Sequence, residues 1–181
     1  MKDLLGKALM RWRIKVVLPY IRGYFIDIGC GTNQLVRAYR GRGVGVDIHQ
    51  WGNVDFVVDN TANLPFDDGT FDTVAIIASL NHIPNRSAVL AEANRILKDQ
   101  GRIIVTMIPP RISRIWHYVR RPWDADQRER GMKEGEKFGL TCEEVRSHLI
   151  AAGFEIWRRE KFMLGINSLT VGRKKPLAAV E

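Results

Sequence analysis

The chain is poor in cysteine, in histidine and in long apolar runs. Its two cysteines, Cys30 and Cys142, are too few for a disulfide framework and share no metal-like spacing with each other or with the four histidines. Arg11, Arg13 and Lys15 break up the apolar residues near the N-terminus, so neither a membrane-spanning helix nor a secretory leader is expected there. Acids are scarce relative to bases: 20 Asp and Glu face 28 Lys and Arg, a net charge of +8. Residues 1–23 hold six bases and one acid, and Arg158, Arg159, Lys161, Arg173, Lys174 and Lys175 load the C-terminal part. Such a surface attracts anions, and charge alone leaves nucleic acid, phosphorylated metabolites and acidic lipid headgroups open. With 45% hydrophobic residues in 181, the chain is expected to form one cytoplasmic domain, residues 1–181, with a real core.

Against these absences stands the run Tyr24-Phe25-Ile26-Asp27-Ile28-Gly29-Cys30-Gly31-Thr32-Asn33. An apolar strand leads straight into an acid and two close glycines, which lets the backbone turn tightly and approach a ligand without an intervening side chain. Eighteen residues after Gly29, the strand-like Gly43-Val44-Gly45-Val46 ends in Asp47, a carboxylate suited to ribose hydroxyls. A third run, Val54 to Val58, ends at Asp59-Asn60. Three polar strand ends in a row describe one elongated nucleotide-type site at the carboxyl edge of a parallel sheet. The sixth place of the dinucleotide fingerprint is Gln34 rather than glycine, which disfavours a nicotinamide enzyme.

Periodicity supplies the other elements. An amphipathic helix is predicted from Lys2 to about Leu18, within an N-terminal segment of residues 1–20, with Leu5, Leu9, Trp12 and Val16 on its apolar face. Its alternative reading is an interfacial helix on an anionic membrane. The nearly continuous apolar run from Phe71 to Ala78 reads as a central strand, residues 87–98 as a crossover helix stopped by Gly101, and Arg102 to Ile108 as the fifth strand. Thr141-Cys142-Glu143-Glu144 has the form of a capping box, and two strands, 154–161 and 166–173, close the chain. Residues 109–140 fit none of these units. So long a connection, carrying Arg111, Arg114, Trp116, His117, Tyr118, Trp123, Asp124, Asp126, Glu134 and Glu136, reads as a substrate-selecting cap.

The ordered motifs Phe25-Ile26-Asp27-Ile28-Gly29-Cys30-Gly31-Thr32, Gly45-Val46-Asp47, Leu64-Pro65-Phe66-Asp67-Asp68-Gly69-Thr70-Phe71-Asp72, Leu80-Asn81-His82-Ile83-Pro84, Glu92 with Arg95-Ile96-Leu97-Lys98, and Gly101-Arg102-Ile103-Ile104-Val105 cover residues 24–108. Together they resemble the class I S-adenosylmethionine-dependent methyltransferases of type 11. The resemblance implies an α/β fold: a doubly wound, Rossmann-like, seven-stranded and mostly parallel sheet with an antiparallel terminal hairpin. It also implies S-adenosylmethionine as cofactor and a methyltransferase activity. On the matching positions, Asp27, Gly29 and Gly31 line the methionine part of the cofactor, with Cys30 a small apolar filler in the same loop. Asp47 holds the ribose and Ile48 packs on adenine. Asp59 or Asn60 meets the adenine amino group, Asp59 being the better acceptor. Ser79, Leu80, Asn81 and His82 follow the fourth strand beside the reactive methyl. One departure is Asn33, where the family often has a third glycine.

Methyl transfer from a sulfonium is an in-line displacement, so the site mainly holds the acceptor in a near-attack geometry. A general base helps only where the acceptor must shed a proton. His82 is the first candidate base and His117 the second. No metal is expected. The leading acceptor is a small molecule, with oxygen slightly preferred as the acceptor atom. A membrane-associated lipid or quinone and RNA are the alternatives, motivated by the basic N-terminus, and a non-catalytic cofactor-binding subunit is another. Nucleic acid is the less favoured partner, since the fourth strand end lacks the Asn/Asp-Pro-Pro-Tyr pattern of base-modifying enzymes. The sequence sets no oligomeric state.

Overall fold

Alternation along the strands sets the layers. In the computed structural model, which describes residues 4–114 and 134–176, seven strands form one sheet: β1 (Phe25–Ile28), β2 (Gly43–Asp47), β3 (Phe56–Val57), β4 (Phe71–Ile77), β5 (Leu97–Met107), β6 (Phe154–Phe162) and β7 (Asn167–Lys174). Their order is β3-β2-β1-β4-β5-β7-β6. The first five run parallel, and β7 lies antiparallel between β5 and β6, as the expected terminal hairpin requires. Ile26, Val74, Ile76, Ile103 and Val105 face one side, where they meet Val89, Ala93 and Ile96 of α3 (Arg86–Ile96) and Val145 and Leu149 of α4 (Cys142–Ala151). Phe25, Ala75, Ile104, Leu169 and Val171 face the other, against Ile14 and Val17 of α1 (Leu4–Val17) and Leu35 of α2 (Gln34–Ala38). A central strand covered on both faces has no polar side to show, hence the apolar run Val74–Ile77 in β4.

Three expectations shift. The buried stripe of α1 is Ile14 and Val17 with Met10 and Val16 packed beside them, whereas Trp12 is 47% exposed. The helix is thus rotated from the predicted Leu5/Leu9/Trp12/Val16 face, because the inward stripe tolerates a base, Arg13, that lines a cavity. The crossover helix α3 ends at Ile96, and Leu97 already pairs with Phe71 in the sheet. The turn that follows is made at Gln100, which takes a left-handed φ of 58°, while Gly101 does not. β3 shrinks to two residues, since only Val46 and Asp47 of β2 offer it partners.

The capping box at α4 is present: Thr141 Oγ1 accepts from Glu144 N at 3.1 Å, and Glu144 accepts from Thr141 N at 2.8 Å. A second motif proves to be a latch. Glu92 accepts from Leu64 N at 2.6 Å and pairs with Arg95, which also reaches Asp68 and the carbonyl of Phe66. The Arg95 guanidinium holds the Glu92 carboxyl below its ordinary range. The latch pins the Leu64–Asp72 segment to the back of α3, away from the strand ends. Strand order reverses between β1 and β4, and the crevice at that switch point is where a ligand finds room.

Candidate active site

The glycine loop after β1 is built from the backbone outward. Gly29 N and Cys30 N both donate to Val46 O, at 2.9 and 3.1 Å, fastening the loop to β2. Gly29 has φ +73°, and a Cβ there would stand 2.8 Å from the Ser79 side chain, so glycine is needed twice over. Ser79 Oγ in turn donates to Ile28 O at 3.1 Å. Gly31, at φ +53°, faces open space: a Cβ added there would meet no atom within 4 Å. Asn33 replaces the third glycine without loss of the turn: it adopts φ 59°, lies buried, and donates to Asn53 O and Asp55 Oδ2 at 2.8 and 2.9 Å. Its side chain thus ties the loop to the far side of β2 and leaves the cleft clear.

Three sets of strand-end residues line one cavity of about 560 Å3: Gly29, Gly31 and Thr32 from the first, Asp47, Ile48, His49 and Trp51 from the second, and Ile77, Ala78, Ser79, His82 and Ile83 from the fourth. Met10 and Thr61 complete it. The volume lies in the range of small-ligand sites. Asp47 Oδ2 accepts from Gly31 N at 2.9 Å, and its Oδ1 accepts from His49 N and Trp51 Nε1 at 3.0 and 3.3 Å. These bonds fix the carboxylate while leaving a lone pair on Oδ2 open to a ligand hydroxyl. Ile48 stands beside it with 40% of its surface exposed, an apolar face on the cavity wall. Asp27 lies buried below the loop, its Oδ1 without a hydrogen-bond partner. Burial, and then the nearby Asp47 charge, push its carboxyl well above the ordinary range. An orphaned carboxyl, an open glycine and an exposed apolar shelf fit the amine, backbone-hugging and adenine parts of S-adenosylmethionine.

A second, smaller cavity of about 160 Å3 adjoins the first through Ala78 and His82, which line both. Its other walls are Arg13, Asn81, Met107, Ile108, Ser113 and Phe138. The short 3-10 turn Leu80–His82 is clamped by buried Arg86, whose guanidinium donates to the carbonyls of Leu80, Asn81 and Gly135. Asn81 and Lys137 exchange two more bonds, Lys137 N to Asn81 O at 2.9 Å and Asn81 Nδ2 to Lys137 O at 3.0 Å. Glu136, between Gly135 and Lys137, is thereby held against His82. Its Oε2 lies 3.8 Å from His82 Nδ1, with the glutamate side chain 1% and the histidine 22% exposed. The imidazole thus faces a buried carboxylate on one side and lines both cavities.

The structure gathers Asp27, Gly29, Gly31, Asp47, Ile48, Ser79 and His82 around one cleft. Other predicted residues are placed differently. Cys30 packs beneath the loop against Gly45 rather than lining the cavity, and burial pushes its thiol up, in keeping with a filler. Asn60 Oδ1 is taken up by Ala62 N at 2.9 Å in its own turn, Asp59 is exposed, and Thr61 is the residue of that loop that reaches the cavity. His117 and most of the 109–140 cap lie outside the described residues. Sequence reasoning missed Arg13 and Thr61 as lining residues and the pairing of Glu136 with His82. Arg13 was detectable as a base standing three after and four before the apolar residues of an inward stripe, at Met10 and Val17. Among the described residues no group of three His, Cys, Asp or Glu side chains is placed to hold a metal ion.

A glycine loop after β1, an acid at the end of β2, and an antiparallel β7 inserted beside β5 are the arrangement of the Rossmann-like methyltransferase fold. Residues 26–105 match the family model described as a methyltransferase domain. The demethylmenaquinone methyltransferase of Thermotoga maritima is 24% identical over 148 residues, covering 67% of this chain and 65% of that protein. The ubiquinone/menaquinone biosynthesis C-methyltransferase UbiE of Rickettsia typhi is 26% identical over 131 residues, covering 58% and 53%. The chain thus spans between about half and two thirds of the length of these curated relatives. A Haloferax volcanii methyltransferase solved with its Trm112 activator superposes with a TM-score of 0.71 at 19% identity, covering 93% of this chain and 92% of that one, and carries the same fold.

Proposed function

We propose that this protein transfers the methyl group of S-adenosylmethionine to a small-molecule acceptor bearing an acidic hydroxyl, with oxygen as the acceptor atom. The observation that carries this reading is His82, shared by the cofactor-sized cavity and the smaller one and backed by Glu136. The bound cofactor supplies an electrophilic methyl carbon. Asp27 and the loop at Gly29–Gly31 hold the methionine end, Asp47 the ribose, and Ile48 the adenine face. His82 accepts the hydroxyl proton as the oxygen attacks, and Glu136 steadies the imidazolium that results. The Arg86 and Asn81 clamps keep that pair aligned, so the acceptor oxygen is presented rather than left to diffuse. The curated relatives named above act, by their names, on quinone precursors and one of them at carbon. A deprotonated phenol or enol can react at either atom, and the same base serves both.

A second reading draws on α1. Trp12 stands exposed beside Lys7, Arg11 and Lys15, a face suited to an anionic membrane carrying a lipid-like acceptor. No helix among the described residues is long and apolar enough to cross a membrane, so this is a surface contact. Binding to vesicles containing acidic lipid, weakened by salt and by Trp12→Ala, supports it; salt-independent or absent binding removes it.

The test of the leading reading is methyl-labelled S-adenosylmethionine incubated with the protein and a cell extract, followed by separation into organic, aqueous, nucleic-acid and protein fractions. Label in a small-molecule fraction, lost with Asp47→Ala, is expected. Label in nucleic acid or protein, or none despite measured S-adenosylhomocysteine binding, contradicts it.

A further inference from the structure

Arg13 is a base on the inward stripe of α1, and its Nε is sealed from solvent with no hydrogen-bond partner. Among the described residues no carboxylate forms an ion pair with it, and burial alone pulls its pKa down to about 10. Arg13 as a whole is only partly buried, yet a guanidinium whose Nε is shut off from water without a partner is costly, so folds seldom keep one that nothing meets. The side chain lines the 160 Å3 cavity that adjoins the cofactor cleft through Ala78 and His82. Met107, Ile108 and Phe138 supply apolar wall, and Asn81 and Ser113 line the cavity beside them. A cavity of about 150 Å3 accommodates a benzene ring, so this one takes a single ring and little more.

We propose that Arg13 is the anion-binding group of the acceptor pocket and that the acceptor is a one-ring hydroxy acid whose carboxylate pairs with it. This deepens the methyl-transfer reading and rests on it. A planar guanidinium is matched to a carboxylate by its fork of donors. The apolar walls hold the ring, Arg13 fixes its charged end, and the hydroxyl is left to His82. Arg13 is a binding residue in this scheme and takes no proton.

Calorimetry in saturating S-adenosylhomocysteine tests the assignment with benzoate and its neutral isostere benzamide as probes. Wild-type protein is expected to bind benzoate about ten- to a hundredfold more tightly than benzamide, the worth of one hydrogen-bonded charge pair. Arg13→Met removes that preference and Arg13→Lys keeps part of it, both with S-adenosylhomocysteine affinity unchanged within about threefold. Arg13→Met melts at or above the wild-type temperature, because it removes a partly buried charge that has no ion-pair partner among the described residues. Equal binding of the two probes by the wild type, or a preference that survives Arg13→Met, overturns the proposal. So does a loss of S-adenosylhomocysteine affinity in Arg13→Met, which would assign the arginine to the cofactor's own carboxylate. Wild-type S-adenosylhomocysteine binding and label transfer are read separately, so a failure here leaves the methyl-transfer reading standing, and a failure there shows itself without Arg13.

Discussion

The two cavities are assembled in opposite ways. The cofactor cleft draws nearly all its walls from strand ends between Gly29 and Ile83, those of β1 and β2 tied to each other by short hydrogen bonds. The smaller pocket joins residues 13, 78–82, 107–113 and 138, brought together by α1, two strand ends and a segment held by Arg86 and Asn81. A cleft built locally can keep its cofactor while the pocket beside it changes. That is how one scaffold serves many acceptors.

If the division is real, substitutions on the two sides separate binding from turnover. His82→Gln is expected to lower kcat by about a hundredfold or more, the usual worth of a positioned base, with S-adenosylhomocysteine affinity within about threefold of wild type. Steady-state kinetics beside calorimetry reads both. Asp47→Ala works the other way, weakening S-adenosylhomocysteine by about a hundredfold as the charged hydrogen bonds to the ribose are lost. The glycines sharpen the comparison within the cleft itself. Gly29→Ala costs about 1–3 kcal/mol of stability, since its Cβ meets Ser79 at a strained φ. Gly31→Ala has free space around it and leaves the melting temperature nearer wild type, yet loses cofactor affinity because the added methyl fills the approach.

Asp27 adds a pH test with a fixed sign. Its carboxyl is raised by burial and by Asp47, so the stability it contributes is full below the ordinary aspartate value and is lost as pH rises through the raised one. The amino group of the cofactor favours the ionised form, so S-adenosylhomocysteine affinity weakens as pH falls through the same range. Asp27→Asn flattens both profiles, which thermal melts and calorimetry across pH will show. The smallest effect is expected at Asn33→Gly. It loses the bonds to Asn53 and Asp55 for about 1 kcal/mol of stability, with cofactor affinity unaltered because Asn33 points away from the cleft.

The same contrast explains what could be read from the chain beforehand. Strand-end acids and glycines are local patterns, so the order Asp27, Gly29, Gly31, Asp47 announces the cleft from the sequence alone. An apolar run on a two-face-buried sheet likewise marks β4. Helix rotation is harder. Apolar spacing allows two stripes on α1, and preferring Trp12 over Arg13 follows the rule that charges face water, which the pocket breaks. The pairing of Glu136 with His82 depends on Arg86 reaching three carbonyls that sequence spacing does not reveal. Thr61 displaces Asp59 and Asn60 because an Asx turn consumes the asparagine oxygen, a competition between local hydrogen bonds that composition alone leaves undecided.

The cofactor cleft and the acceptor pocket meet at His82, and the most direct measurement of that claim pairs two readouts on one variant. Wild type and His82→Gln are each given methyl-labelled S-adenosylmethionine and extract, and each is titrated with S-adenosylhomocysteine. Label is expected in the small-molecule fraction for wild type, with its near-complete loss in His82→Gln and matching S-adenosylhomocysteine isotherms for the two proteins. Equal labelling by both would contradict a shared proton acceptor at that junction.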